Sequence, residues 1–280
     1  MLKTKTIVLD NKESIVYREY GTGNEILIFI HGNICSGIFF EPFLNYFNKN
    51  KYRILIPDLR GFGESSYLTK INSISDFSDD LNDFFSKLNI NNFTLLGWSA
   101  GGPICMNYSS SYPMKVKSLI LINSVGVNGY PMYDENGKKY ISVEEISQEK
   151  SQVLPVLNAI KNQDKLFIKN LWNNAIYIYK KPNCQQSEIE VSASLKQRNL
   201  PEVYLALSNF NMTSILFPNI PSLIIFGDSD SIIKKEDIFL TAKYLNTNNI
   251  IKILNCGHSP FIDSPNELFK YIDNFIKNFK

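Results

Sequence analysis

The stretch Leu95-Leu96-Gly97-Trp98-Ser99-Ala100-Gly101-Gly102 constrains the chain most. Asn92 to Leu96 reads as a strand, and a helix opens at about Ala100, so Gly97 and Gly101 flank a serine at a sharp strand-to-helix corner. Such a corner admits only small residues two positions before and after the serine, and it pushes the hydroxyl out over the sheet edge. The N–H of Ala100 falls at the helix N-terminus, where unpaired amides and the helix dipole favour an anion. A Gly-rich turn that merely packs a helix on a strand would carry the same residues, so the surrounding chain has to decide.

That chain alternates strands and helices. Residues 4–20 alternate around Ile7, Leu9, Ile15 and Tyr17 as a β-hairpin. Short apolar runs closed by turn residues follow at 25–30, 53–57, 116–122, 222–227 and 250–254, the pattern of strands buried on both faces. Ser73-x-x-Asp76 opens an amphipathic helix on Phe77, Leu81, Phe84 and Leu88, and Ser264-Pro265 opens the last one. The expected class is α/β, a mostly parallel sheet with helices on both faces. The rhythm breaks between Ile122 and Leu223, where the chain reads as helices without a good strand. Residues 1–126 and 216–280 are therefore expected to form the core domain, and 127–215 a helical cap over the sheet edge, because a structureless connection of that length would be unusual. Its aromatic residues Trp172, Tyr177 and Tyr204, with Trp98 below, are the candidate walls of an apolar pocket.

Composition narrows the partners. Lys and Arg number 29 against 27 Asp and Glu, a net charge of +2, and no basic block exceeds a pair. Nucleic acid and anionic membrane are not expected partners. No run approaches a spanning helix and the first residues carry no apolar signal core, so no stable membrane insertion is expected. Cys35, Cys105, Cys184 and Cys256 lack metal-ligand spacing and read as free thiols of a reducing cytoplasm. The expected partner is a small-molecule substrate, and no protein partner is indicated.

A nucleophilic serine needs a base, and the base an orienting acid. The chain has two histidines. His258 follows the last strand in a Gly-containing loop and is the candidate base, whereas His31 reads as structural. Phe226-Gly227-Asp228-Ser229-Asp230, also at a strand end, offers two acids, one of which serves as a turn or cap residue. The earlier strand end offers Asn123 and Ser124 and no carboxylate.

Together, His31-Gly32-Asn33, Asp58-Leu59-Arg60-Gly61-Phe62-Gly63-Glu64-Ser65, Gly97-Trp98-Ser99-Ala100-Gly101-Gly102, Gly227-Asp228-Ser229-Asp230 and Gly257-His258-Ser259-Pro260 resemble the α/β-hydrolase superfamily over nearly the whole chain. The resemblance implies a capped serine carboxylesterase-like enzyme with Ser99, His258 and Asp230 as its catalytic triad. It implies an oxyanion hole from the amides of Ala100 and Asn33, with Ile34 as the alternate, a structural Arg60 loop, and neither metal nor organic cofactor. Lactonase, thioesterase, carbon–carbon bond hydrolase and hydrolase-like receptor stay open as alternatives.

Overall fold

The computed structural model describes residues 2–278. Within them, eight strands form one sheet: β1 (Lys3–Val8), β2 (Ser14–Tyr20), β3 (Glu25–Ile30), β4 (Tyr52–Pro57), β5 (Phe93–Trp98), β6 (Val116–Ile122), β7 (Ser222–Gly227) and β8 (Ile250–Ile253). Their order is β1-β2-β4-β3-β5-β6-β7-β8. β1 and β2 form the antiparallel hairpin and β2 meets β4 antiparallel, while every later pairing is parallel.

The apolar runs read as buried strands because both faces are covered. Along β5, Phe93 and Leu95 point into one core, with Phe77, Phe84 and Phe85 of the helix Ile74–Lys87. Leu96 and Trp98 point into the other, with Phe40, Phe43 and Phe261. This period-two division places side chains from the two helical layers on opposite sides of one sheet. The Ile74–Lys87 helix starts where the sequence signal places it, with Asp76 Oδ2 accepting the Ser73 N–H at 3.1 Å.

Five helices separate β6 from β7: Val143–Ser147, Val153–Asn162, Lys165–Ala175, Cys184–Ser194 and Leu200–Asn209. Polar side chains start three of them. Ser142, Asp164 and Asn183 accept from Glu145, Phe167 and Gln186 N–H groups respectively. Nearer the N-terminus, a 3-10 turn Gly37–Phe40 runs into the short helix Glu41–Leu44. Ser36 caps the turn through the Ile38 N–H. Among the described residues no helix is long and apolar enough to cross a membrane.

Candidate active site

Ser99 stands one residue past β5 at φ +54°, a left-handed conformation that costs a non-glycine residue about 1–3 kcal/mol. The corner is held from the next strand over. Ser99 N–H donates to Ile122 O at 3.2 Å, and Ser99 O accepts from Gly102 N–H and Val125 N–H at 3.0 and 3.1 Å. The tightness explains the glycines. A Cβ on Gly101 would lie 2.4 Å from Ile30 O, and one on Gly32 would lie 2.9 Å from the Ser99 Cβ. Gly101 thus lets the helix Gly101–Ser111 start directly against β3, and Gly32 lets the loop after β3 pass against the serine.

His258 follows β8 and is buried, with its Nδ1 2.9 Å from Asp230 Oδ2 in the loop after β7. The other Asp230 oxygen accepts the Ile232 and Ile233 amides at 2.8 and 3.2 Å. Asp228 faces elsewhere, accepting from Cys256 N–H at 3.2 Å and the Ser229 hydroxyl at 3.1 Å. An imidazole whose Nδ1–H is given to a carboxylate keeps Nε2 as its acceptor.

Three side chains hold these loops in register. Asn123, just past β6, accepts the Gly227 N–H at 2.8 Å and donates to Gly257 O at 2.7 Å, joining the acid loop to the histidine loop. Trp98 Nε1 donates to His258 O at 2.9 Å. Buried Asp263 accepts the Gly257 N–H at 2.8 Å and the Lys180 N–H, from the helical insertion, at 2.9 Å. No motif announces these roles: Asn123 stands out in the sequence only for not being a carboxylate.

His31 is structural in its bonding. Its Nε2 accepts the Leu59 N–H at 3.0 Å and its Nδ1 donates to Gly32 O at 2.8 Å. Complete burial holds its pKa down at about 4, so the ring is neutral and pins the 58–65 loop to the turn after β3. Arg60 is likewise committed, bonded to both oxygens of Asp80 at 2.6 and 2.9 Å.

Ser99, Asn33 and Ala100 line a cavity of about 380 Å³ at the carboxyl ends of the strands. Val125 and Ile232 add strand-end walls, and the helical insertion closes it with Val156, Phe167, Leu171, Tyr204 and Leu207. Of the four aromatic residues expected to line it, the structure brings Tyr204 there. Trp98, Trp172 and Tyr177 are buried in packed surroundings instead. Trp98 lies on the β5 face that meets Phe39, Phe40 and Phe261. Trp172 donates to the Ser194 hydroxyl at 3.0 Å and packs edge-on against Phe39. Tyr177 donates to Glu190.

The two oxyanion candidates after Gly32 differ in their bonding. The Ile34 N–H donates to Gln197 Oε1 at 2.8 Å, so it is already engaged. Gln197 comes from the insertion, and nothing in its sequence surroundings marks it.

Comparison with known proteins agrees with this architecture. Residues 25–139 match a family model described as alpha/beta hydrolase fold. The chain is 27% identical to Lipase 1 of Psychrobacter immobilis over 278 residues, 95% of this chain and 81% of the relative. It is 29% identical to the pimeloyl-[acyl-carrier protein] methyl ester esterase of Wigglesworthia glossinidia brevipalpis, over 94% of this chain and 98% of that one. An esterase structure from Exiguobacterium antarcticum superposes with a TM-score of 0.77 at 18% identity, covering 98% of this chain and all of that one (100%). By its sheet order, its serine corner and these relatives, the chain is an enzyme of the α/β-hydrolase fold.

Proposed function

We propose that the protein is a serine hydrolase that cleaves a carboxylic ester-type bond of a small, mostly apolar substrate through Ser99, His258 and Asp230. One observation carries the reading: a strained serine at a helix N-terminus opens into an apolar cavity, while the histidine in the neighbouring loop bonds a buried carboxylate at 2.9 Å. Ser99 Oγ attacks the ester carbonyl as His258 Nε2 takes its proton. Asp230 fixes the imidazole tautomer and stabilises the imidazolium. The developing oxyanion is held by the amides of Ala100 and Asn33, since Gln197 engages that of Ile34. Such a donor is worth about 3–4 kcal/mol of barrier. His258 then protonates the leaving alcohol, and water releases the acyl group by the same route.

Residues 127–215 act as the cap that supplies the pocket roof, on a core of 1–126 and 216–280. The four unpaired cysteines fit a reducing, cytoplasmic setting. The test is labelling with a fluorophosphonate followed by peptide mapping, beside a panel of esters, thioesters and lactones. Ser99 is expected to carry the label, and Ser99→Ala to abolish both label and turnover. A Ser99→Ala protein that kept wild-type ester rates would refute the proposal, and turnover confined to lactones or thioesters would reassign the substrate class.

A further inference from the structure

The glycine before His258 is there for a reason outside its own loop. Its φ lies outside the left-handed region, so backbone conformation does not call for glycine. Space does: a Cβ on Gly257 would lie 2.7 Å from Ile178 Cγ1 and 3.1 Å from Ile178 Cβ. Ile178 belongs to residues 176–183, the strap between the helices Lys165–Ala175 and Cys184–Ser194 of the insertion. The insertion therefore meets the histidine loop at the residue next to the base.

The same strap is bonded to the loops that carry His258 and Asp230. Asp263 has 2% of its surface exposed, and its two oxygens are divided. Oδ2 accepts the Gly257 N–H at 2.8 Å and Oδ1 accepts the Lys180 N–H at 2.9 Å, so one carboxylate joins the histidine loop to the strap. On the acid side the Ser229 hydroxyl donates to Asp228, which leaves it to accept the Tyr179 hydroxyl at 2.7 Å, one residue before Asp230. Trp98 and Asn123 hold the carbonyls of His258 and Gly257 from the sheet. The Gly257 N–H is the backbone group of this turn whose hold is shared with the insertion. N–H bonds to a buried carboxylate are among the strong ones. With the strap unseated, Asp263 would be half-satisfied in a dry site, so the seat of the strap and the place of the histidine loop favour each other.

We infer that the strap is a positioning element for His258, with Asp263 as the positioning residue: the seated insertion fixes the loop that carries the base, so that proton transfer at Nε2, and not stability alone, depends on it. The inference deepens the hydrolase reading of Ser99, His258 and Asp230 and rests on it. Asp263 and Ile178 act through the Gly257 backbone rather than on the substrate.

The test reads p-nitrophenyl butyrate turnover per fluorophosphonate-reactive serine, together with the NMR titration of the His258 imidazole. The other imidazole, His31, is held down at about 4 and stands apart. Gly257→Ala forces the strap and the histidine loop apart without changing any charge. It is expected to lower kcat at least about tenfold, since displacing a reacting group by about an ångström costs up to about 10²-fold. KM should stay within about twofold, the mark of a loss confined to the chemical step. The His258 titration should move to lower pH, because a loosened Asp230 contact favours the imidazolium less. Adding Ile178→Ala makes room for the new Cβ and should restore most of both readouts. Asp263→Asn keeps the shape but offers one acceptor to two N–H groups, and should lower kcat about tenfold, roughly the worth of one hydrogen bond to a charged group. Where either single variant fails to fold, the other decides. Wild type that cleaves no ester and takes no fluorophosphonate would overturn the hydrolase reading alone, since the His258 titration still reads the loop. Folded variants with wild-type kcat and an unmoved His258 titration, differing only in melting temperature, would overturn the inference. So would a loss in Gly257→Ala that Ile178→Ala left untouched.

Discussion

Glu190 offers a sharp test of how the helical insertion is held. It lies on the helix Cys184–Ser194 with 1% of its surface exposed. One carboxylate oxygen accepts the Tyr177 hydroxyl and the other accepts Gln186 Nε2 at 2.8 Å. Both donors are neutral. The same Gln186 Nε2 reaches Ile38 O, in the turn after β3, at 3.3 Å, so the cluster links the insertion to the sheet layer. Burial pushes the Glu190 carboxyl up to about 7, against the pull of these two hydrogen bonds. The buried Cys35 thiol, pushed up by burial and by Glu190 itself, adds no positive charge to oppose this.

The sign follows from linkage. The folded protein holds the Glu190 proton more tightly than the unfolded chain, where the carboxyl titrates near 4.5. Its stabilising contribution is present in full below that value and is lost as pH rises through about 7, where the charge must be kept in a dry site. At about 1.36 kcal/mol per pH unit, the gap amounts to about 3 kcal/mol at most. Urea unfolding of wild type and Glu190→Gln at pH 5, 7 and 9 isolates the effect, because every other titrating group is common to both proteins. Wild type should lose about 2.5 kcal/mol relative to Glu190→Gln between pH 5 and 9, part of the full gap being already lost at pH 5. Stability curves that stay parallel over that range would refute the argument, showing that water or a rearranged cluster solvates the carboxylate.

Two further outcomes follow from the site geometry. Asp230→Asn should lower kcat roughly 10⁴-fold in an ester assay, while Asp228→Asn, whose carboxylate faces Cys256 and Ser229, should change it far less. Trp172→Ala should destabilise the protein by about 3–5 kcal/mol, measured by thermal or denaturant unfolding, because it empties a packed position.

What could be read from the sequence follows physical range. The strands of the parallel sheet are continuous apolar runs because each is covered on both faces, and the serine corner is written in glycines because Ile30 O and the Ser99 Cβ leave no room for a Cβ. With two histidines in the chain, the search for a base is short, and position after the last strand singles out His258 as the candidate. Spacing leaves Asp228 and Asp230 equivalent; which of them faces the His258 ring is a matter of loop geometry, in which the Ile232 and Ile233 amides hold the other oxygen of Asp230. Gln197 was out of reach altogether. It acts on a loop 163 residues away, and a single glutamine between two helices has no period or motif.

The pocket wall shows where a sequence pattern stops short. An amphipathic stripe tells which residues of a helix are apolar, but the helix Lys165–Ala175 has two apolar directions. Phe167, Leu171 and Ala175, four residues apart, face the cavity, while Ile168 and Trp172, one step of about 100° further round, pack into the core. Size draws attention to the tryptophan, whereas helical phase decides which residue meets the ligand. The wall position is therefore Leu171, and filling it should shorten the acyl chain the pocket accepts. Each methylene that loses its place forfeits about 0.8 kcal/mol, so Leu171→Trp, by displacing two, should lower the hexanoate-to-acetate ratio of kcat/KM roughly tenfold. Trp172→Ala, judged on the same p-nitrophenyl esters, should leave that ratio near wild type despite its loss of stability. If Leu171→Trp left the ratio unchanged and Trp172→Ala shifted it, the tryptophan would be the wall and the phase assigned to this helix would be wrong.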